Sequence, residues 1–103
     1  RRGVDVRVCL DLGRTRETGE IENKHTNAQA WLEQRGIRVV LDEDSITTHA
    51  KVALIDDRWV LLGSHNWTRS ALTTNREASV VLDDRGMVQH LETQLFAGIP
   101  GWE

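Results

Sequence analysis

The stretch from residue 49 to residue 66 carries His49-Ala50-Lys51, then Asp56 after four more residues, then Gly63-Ser64-His65-Asn66 after a further six. Written as a pattern this is H-x-K-x4-D-x6-G-S-x-N. Six identities at fixed offsets arise by accident in a chain of this size with odds on the order of one in a million, so the grouping is a signal. On an extended strand, residues two apart project to the same face about 7 Å from one another, so His49 and Lys51 can share a pocket. Imidazole is a nucleophile and a proton carrier near neutral pH, and an ammonium group is a compact charge for phosphate oxygens. Ser64 and Asn66, again two apart, follow Gly63, a residue that permits close backbone approach to a ligand, and they add neutral hydrogen-bond donors. Displacement at phosphorus is the chemistry these types serve together.

Elements must hold these groups in place. Residues 50–55 form a nearly unbroken apolar run, Asp56-Asp57-Arg58 a turn, and residues 59–62 a second apolar run before Gly63. This predicts a hairpin buried on both faces. Residues 67–72 predict a short helical turn and residues 77–82 another strand. Asp83-Asp84 predict the cap of a helix whose Met87, Val88, Leu91, Leu95 and Phe96 share one face, stopped by Gly98 and Pro100. Upstream, a helix from about His25 leads through Gly36 into an apolar strand over 37–41. Arg1-Arg2-Gly3 followed by Val4, Val6, Val8 and Leu10 repeats the grammar of Gly then strand, without a preceding helix. This predicts a piece of a longer chain. Residues 11–24, with only Leu12 and Ile21 apolar, predict a long loop whose Arg14, Arg16 and Lys24 either attract phosphate or are balanced by Glu17, Glu20 and Glu22.

With these residues in view, the sequence resembles the phospholipase D superfamily, whose HKD signature this pattern is. Arg2-Gly3-Val4-Asp5-Val6 and Asn75-Arg76-Glu77-Ala78-Ser79-Val80 look like its flanking segments. The resemblance implies an α/β fold with a mixed β-sheet flanked by helices, one half of such a structure, lacking its first strand and helix. It implies a metal-independent phosphodiesterase in which His49 attacks phosphorus to give a phosphohistidine, or acts as the acid that protonates the leaving oxygen. Lys51 and Asn66 match phosphate-binding positions and Ser64 the nearby hydroxyl, all three expected to hold the phosphate, and Glu77 matches a carboxylate hydrogen-bonded to the histidine. Asp56 matches the motif's Asp, but its place in the hairpin turn, like that of Gly63 at a strand end, argues for a structural part. The family assembles its site from two motifs and this chain has one. The expected partner is therefore a second copy or a second motif in the same polypeptide, and the isolated piece should be weakly active or inactive.

Composition narrows the rest. The chain has 103 residues, 39% hydrophobic and 28% charged, with a formal charge of -3, which predicts one folded domain over residues 1–103 rather than disorder or a general polyanion binder. No apolar run reaches the ~18 to 20 residues of a membrane span. Lone Cys9 allows no internal disulfide, suits a reducing compartment with the cytoplasm favoured, and is expected in the core rather than as a reactive thiol. No zinc-like spacing, P-loop or dinucleotide fingerprint occurs, so neither metal nor cofactor is expected. His65 alternates away from its neighbours as packing or rim, while His25 and His90 read as structural. Trp67 either stacks on a substrate or, as Trp more often does at such a place, anchors the core. The substrate class stays open between nucleic acid and phospholipid, the latter in a phospholipase D or cardiolipin synthase-type transferase. Lack of an amphipathic, membrane-seeking apolar face leans it to nucleic acid. The alternative of another class is a non-catalytic phosphate-binding or dimerising scaffold.

Overall fold

The computed structural model describes residues 2–11, 26–42 and 48–103. Expectations for residues 12–25, including Arg14, Arg16, Lys24 and His25, lie outside the described residues. The fold is α/β, with helices and both senses of strand pairing. Parallel and antiparallel pairs occupy separate sheets among the described residues. The chain forms two compact units, Arg1–His49 with Phe96–Glu103, and Ala50–Leu95.

In the first unit, β1 (Arg7–Leu10) pairs in parallel with β2 (Arg38–Leu41), Arg7 opposite Arg38 and Leu10 opposite Leu41. Helix α1 (Thr26–Glu33) precedes β2. It ends as the Gly36 signal predicts: Gly36 has φ +77°, its N–H donates to the Glu33 carbonyl at 2.9 Å, and the Ile37 N–H donates to the Leu32 carbonyl at 3.2 Å. These two bonds are the 5→2 and 6→1 contacts of a Schellman motif, which needs a left-handed residue between them. The first strand is shorter than the alternation predicted. Val4 and Val6 are 68% and 40% exposed, because the ladder cannot reach back past the point where α1 and its cap give way to β2. Cys9 is half-buried, and burial, then the charges of Asp42 and Asp11, push its thiol up to about 11, so it stays protonated near neutral pH. The last residues dock here. Trp102 is buried, stacks on Phe96 with centroids 4.3 Å apart, and its carbonyl accepts from Arg7 and Arg38 at 3.2 and 2.7 Å.

The second unit is built on an antiparallel sheet in the order β3 (Val52–Ile55), β4 (Trp59–Gly63), β5 (Ser79–Asp83). The β3–β4 turn is the predicted one: Asp56 and Asp57 have φ of 56° and 51°, and the Arg58 N–H donates to the Ile55 carbonyl at 3.1 Å. Two consecutive positive φ values give the turn the twist that a tight hairpin needs. Arg58 then forks onto Asp83, Nε and Nη2 donating at 2.7 and 2.8 Å, and so ties the turn to the end of β5. Helix α2 (Arg69–Thr73) lies between β4 and β5. Helix α3 (Arg85–Leu91) starts at the predicted cap, where the Asp84 carboxylate accepts the Met87 N–H at 3.0 Å, and it packs on β4. Val60, Ala71 and Val88 are the buried centre.

Two expectations are corrected here. The hairpin is not buried on both faces, since Ile55 and Leu62 are exposed, and α3 packs on β4, where Val60 is buried. Leu95 is 36% exposed rather than on a buried stripe, because α3 passes into a π-helical turn over Glu92–Phe96 whose wider winding breaks the 3.6-residue period.

The Gly36 geometry is directly testable. A Cβ there would meet nothing within 4 Å, so any cost of Gly36→Ala comes from backbone conformation alone. Gly36→Ala is expected to lower unfolding stability by about 1–2 kcal/mol in a urea titration, and Gly36→Asn by less.

Candidate functional site

The motif residues are distributed along the β3–β4–β5 sheet and the segment leading into it. His49 ends the first unit, and its approach is held by two carboxylates. The Thr48 N–H donates to Asp42 Oδ2 at 2.9 Å and to Asp11 Oδ1 at 3.1 Å, while the Asp42 N–H donates to the Leu10 carbonyl at 3.1 Å. Asp11 and Asp42 directly follow the paired residues Leu10 and Leu41, so both stand at the carboxyl ends of the two parallel strands. Asp42 is 6% exposed. Sequence reasoning missed this pair. The signal was available in the repeated run of Gly, apolar strand, Leu and Asp over residues 3–11 and 36–42.

In the second unit, Lys51 enters β3, and its carbonyl accepts the Gly63 N–H at 3.4 Å, so the start of β3 lies beside the end of β4. Opposite Gly63 in the β4–β5 ladder is Ser79. A Cβ on Gly63 would lie inside the contact distance of the Ser79 hydroxyl, the Ala78 carbonyl and the Ser79 Cα. The motif glycine thus serves close approach of protein backbone, the chain just before β5, where the sequence suggested a ligand.

That approach brings Ser64 to Glu77. The Ser64 N–H donates to the Ala78 carbonyl at 3.0 Å, the Ser64 hydroxyl donates to Glu77 Oε2, and the Ala78 N–H donates back to Ser64 Oγ at 3.1 Å. Asn75 Nδ2 donates to the other carboxylate oxygen, Oε1, at 3.4 Å. The Ser64 hydroxyl, the Asn75 amide and the neighbouring His65 and Lys51 charges hold the Glu77 carboxyl below its ordinary range, with partial burial opposing them. Lys51, Ser64 and Glu77 are therefore one electrostatic group. His65 turns the other way, as alternation predicted, and its Nδ1 is hydrogen-bonded to the Ser79 hydroxyl. Asn66 is exposed just beyond Ser64, and Asp56 sits in the hairpin turn at the far end of β3. Trp67 is 68% exposed and is no core anchor, because Ala71 fills the buried position beneath α2.

Among the described residues, no group of three or more His, Cys, Asp or Glu side chains is placed to hold a metal ion, and no helix is long and apolar enough to cross a membrane.

Comparison with known proteins shows the family and the fold. The family described as cardiolipin synthase, PLD-like domain, matches residues 1–97. A mitochondrial cardiolipin hydrolase of Chlamydomonas reinhardtii is 36% identical over 93 residues, which cover 90% of this chain and 39% of that protein. Cardiolipin synthase B of Escherichia coli K12 is 45% identical over 47 residues, covering 46% of this chain and 11% of that protein. Among solved structures, the phospholipase D family member Nuc from Salmonella typhimurium superposes with a TM-score of 0.72 at 29% identity, over 90% of this chain and 59% of that one. The chain thus spans well under half the length of the cardiolipin hydrolase it matches.

The Glu77 network makes a titration prediction. With a depressed folded value, ionised Glu77 contributes stability that is present above the ordinary glutamate range and is lost as pH falls through the folded value. Ser64→Ala removes the main donor, so the Glu77 midpoint, followed by the carboxyl carbon chemical shift, is expected to move upward. Gly63→Ala forces β4 from the chain before β5 and is expected to cost about 1–3 kcal/mol in denaturant unfolding.

Proposed function

This chain belongs to the phospholipase D-like family, and on that premise we propose that it is one half of a metal-independent phosphodiesterase that works through a phosphohistidine. The observation that carries the reading is the grouping of Lys51, Ser64 and Glu77 by backbone pairing at one end of the β3–β4–β5 sheet, next to the strand entry that follows His49. Lys51 and Asn66 hold the phosphate oxygens. Ser64, expected to hold phosphate with them, instead donates its hydroxyl to Glu77 and fixes that carboxylate, which takes the family's role of orienting the histidine.

One turnover then balances as follows. A His49 ring nitrogen attacks phosphorus and the bond to the leaving oxygen breaks, the leaving oxygen taking a proton from the imidazolium of a second motif. That second imidazole next accepts a proton from water, whose oxygen attacks phosphorus and displaces His49. Two imidazoles on opposite sides of phosphorus are required. The active assembly is therefore two copies of this motif, in a homodimer or within a longer polypeptide.

For substrate, the cardiolipin hydrolase and cardiolipin synthase named among its relatives favour a phospholipid phosphodiester. The expectation of nucleic acid rested on the lack of an exposed apolar face, and Trp67 and Leu72, 68% and 59% exposed, supply a small one.

In EDTA, the paired assembly is expected to hydrolyse cardiolipin in vesicles more readily than single-stranded DNA. A phosphoenzyme labile to acid and stable to base should be trapped on His49. His49→Ala should abolish both turnover and trapping. Under the scaffold alternative that substitution changes nothing measurable. Light scattering alongside activity measured across concentration tests the pairing: full activity from a strict monomer carrying one motif overturns it.

A further inference from the structure

Immediately beyond the phosphate-site residue Asn66, the chain turns outward. Thr68 caps α2, its hydroxyl accepting the Ala71 N–H at 3.2 Å, which makes Trp67 the residue before the cap and Leu72 the fourth residue of the helix. These are the two positions whose side chains meet in a hydrophobic staple. A staple ordinarily packs against the protein. Here Ala71, 3% exposed, takes the inward place, and Trp67 and Leu72 are left 68% and 59% exposed.

The charge around them is one-sided. From Arg58 to Arg76 the sequence has no Asp or Glu, the longest such interval in a chain whose formal charge is -3. Arg69 and Arg76, both exposed, lie on either side of Leu72 in this interval. An indole with a polar N–H, an aliphatic side chain beside it and flanking guanidinium groups match the layered polarity of a membrane surface, apolar beneath and anionic at the headgroups.

We propose that Trp67 and Leu72, flanked by Arg69 and Arg76, are the contact through which this chain docks on an anionic phospholipid surface, next to the phosphodiester site. Exposed Leu72 favours lipid over nucleic acid, since an aliphatic side chain gains from acyl chains and gives no stacking plane to a base. The docking role rests on the phosphodiesterase reading only for its purpose, because partitioning to membranes needs no turnover.

The test uses the full chain and vesicles of phosphatidylcholine alone or with one-fifth cardiolipin, scored by co-sedimentation. Wild type is expected to partition to the cardiolipin vesicles, and Trp67→Ala and Leu72→Ser each to weaken this roughly ten-fold. Arg69→Gln with Arg76→Gln should remove most of the preference for anionic vesicles. Turnover of the soluble diester bis(4-nitrophenyl) phosphate by the paired assembly should be unchanged in Trp67→Ala. Because both apolar residues are exposed, the variants should keep the wild-type circular dichroism. If one does not, the double arginine variant decides. Unchanged partitioning in the variants, equal binding to both vesicles, or loss of single-stranded DNA affinity in place of vesicle affinity overturns the proposal. Vesicle binding as stated, with no diester turnover by an assembly shown to hold two motifs, would sink the phosphodiesterase reading and leave the docking surface standing.

Discussion

The candidate site depends on how closely the chain before β5 passes the end of β4. At Gly63 the two backbones approach to a distance that admits no Cβ. One residue later the gain is visible: the Ser64 amide and hydroxyl both bond into the segment from Glu77 to Ala78. A larger residue at 63 would separate these strands exactly where the polar groups need to meet. The constraint also explains why glycine and serine follow each other in the motif, the first creating the approach and the second using it.

A carboxylate inside the proposed phosphate site poses an electrostatic difficulty, because two anions repel. The structure answers it locally. Each oxygen of Glu77 accepts a side-chain donor, one from Ser64 and one from Asn75, and Lys51 and His65 bring positive charge near it. Charge-assisted hydrogen bonds of this kind keep the carboxylate ionised while spreading its charge over neutral dipoles. The group can then act as an acceptor for an imidazole N–H without leaving a bare negative charge facing the substrate.

Much of this was legible in the sequence, because short-range rules govern it. The left-handed residues of the Asp56-Asp57 turn, the Gly36 helix end and the Asp84 cap all follow from side chains acting on their own backbone. The HKD pattern was legible as fixed spacing alone, since His49 and Lys51 precede β3 and Ser64 and Asn66 follow β4, so the shared strand face expected for His49 and Lys51 is not where the structure puts them. What could not be read depends on partners distant in sequence. The ladder between β1 and β2 stops where α1 ends, so Val4 and Val6 lose the strand their alternation promised. The π-helical turn after Leu91 moves Leu95 off its stripe. Trp67 looked like a core anchor because only the fold reveals that Ala71 already occupies the space beneath α2.

The distribution of exposed apolar side chains separates two physical situations. On β5, Val80 and Val81 stand on opposite faces of an edge strand and are 53% and 64% exposed, so no single flat partner could cover both. Trp67 and Leu72 differ in kind, for one precedes a short helix and the other is its fourth residue, the two staple positions, and both are embedded in the longest interval without a carboxylate. A membrane is a partner that rewards that combination, since it takes an apolar tip and nearby guanidinium groups together and requires no matching backbone edge. Placing such a tip one residue beyond Asn66 leaves little distance between the proposed phosphate site and the headgroups, so the proposed lipid phosphodiester would be met at the surface without being drawn far out of it.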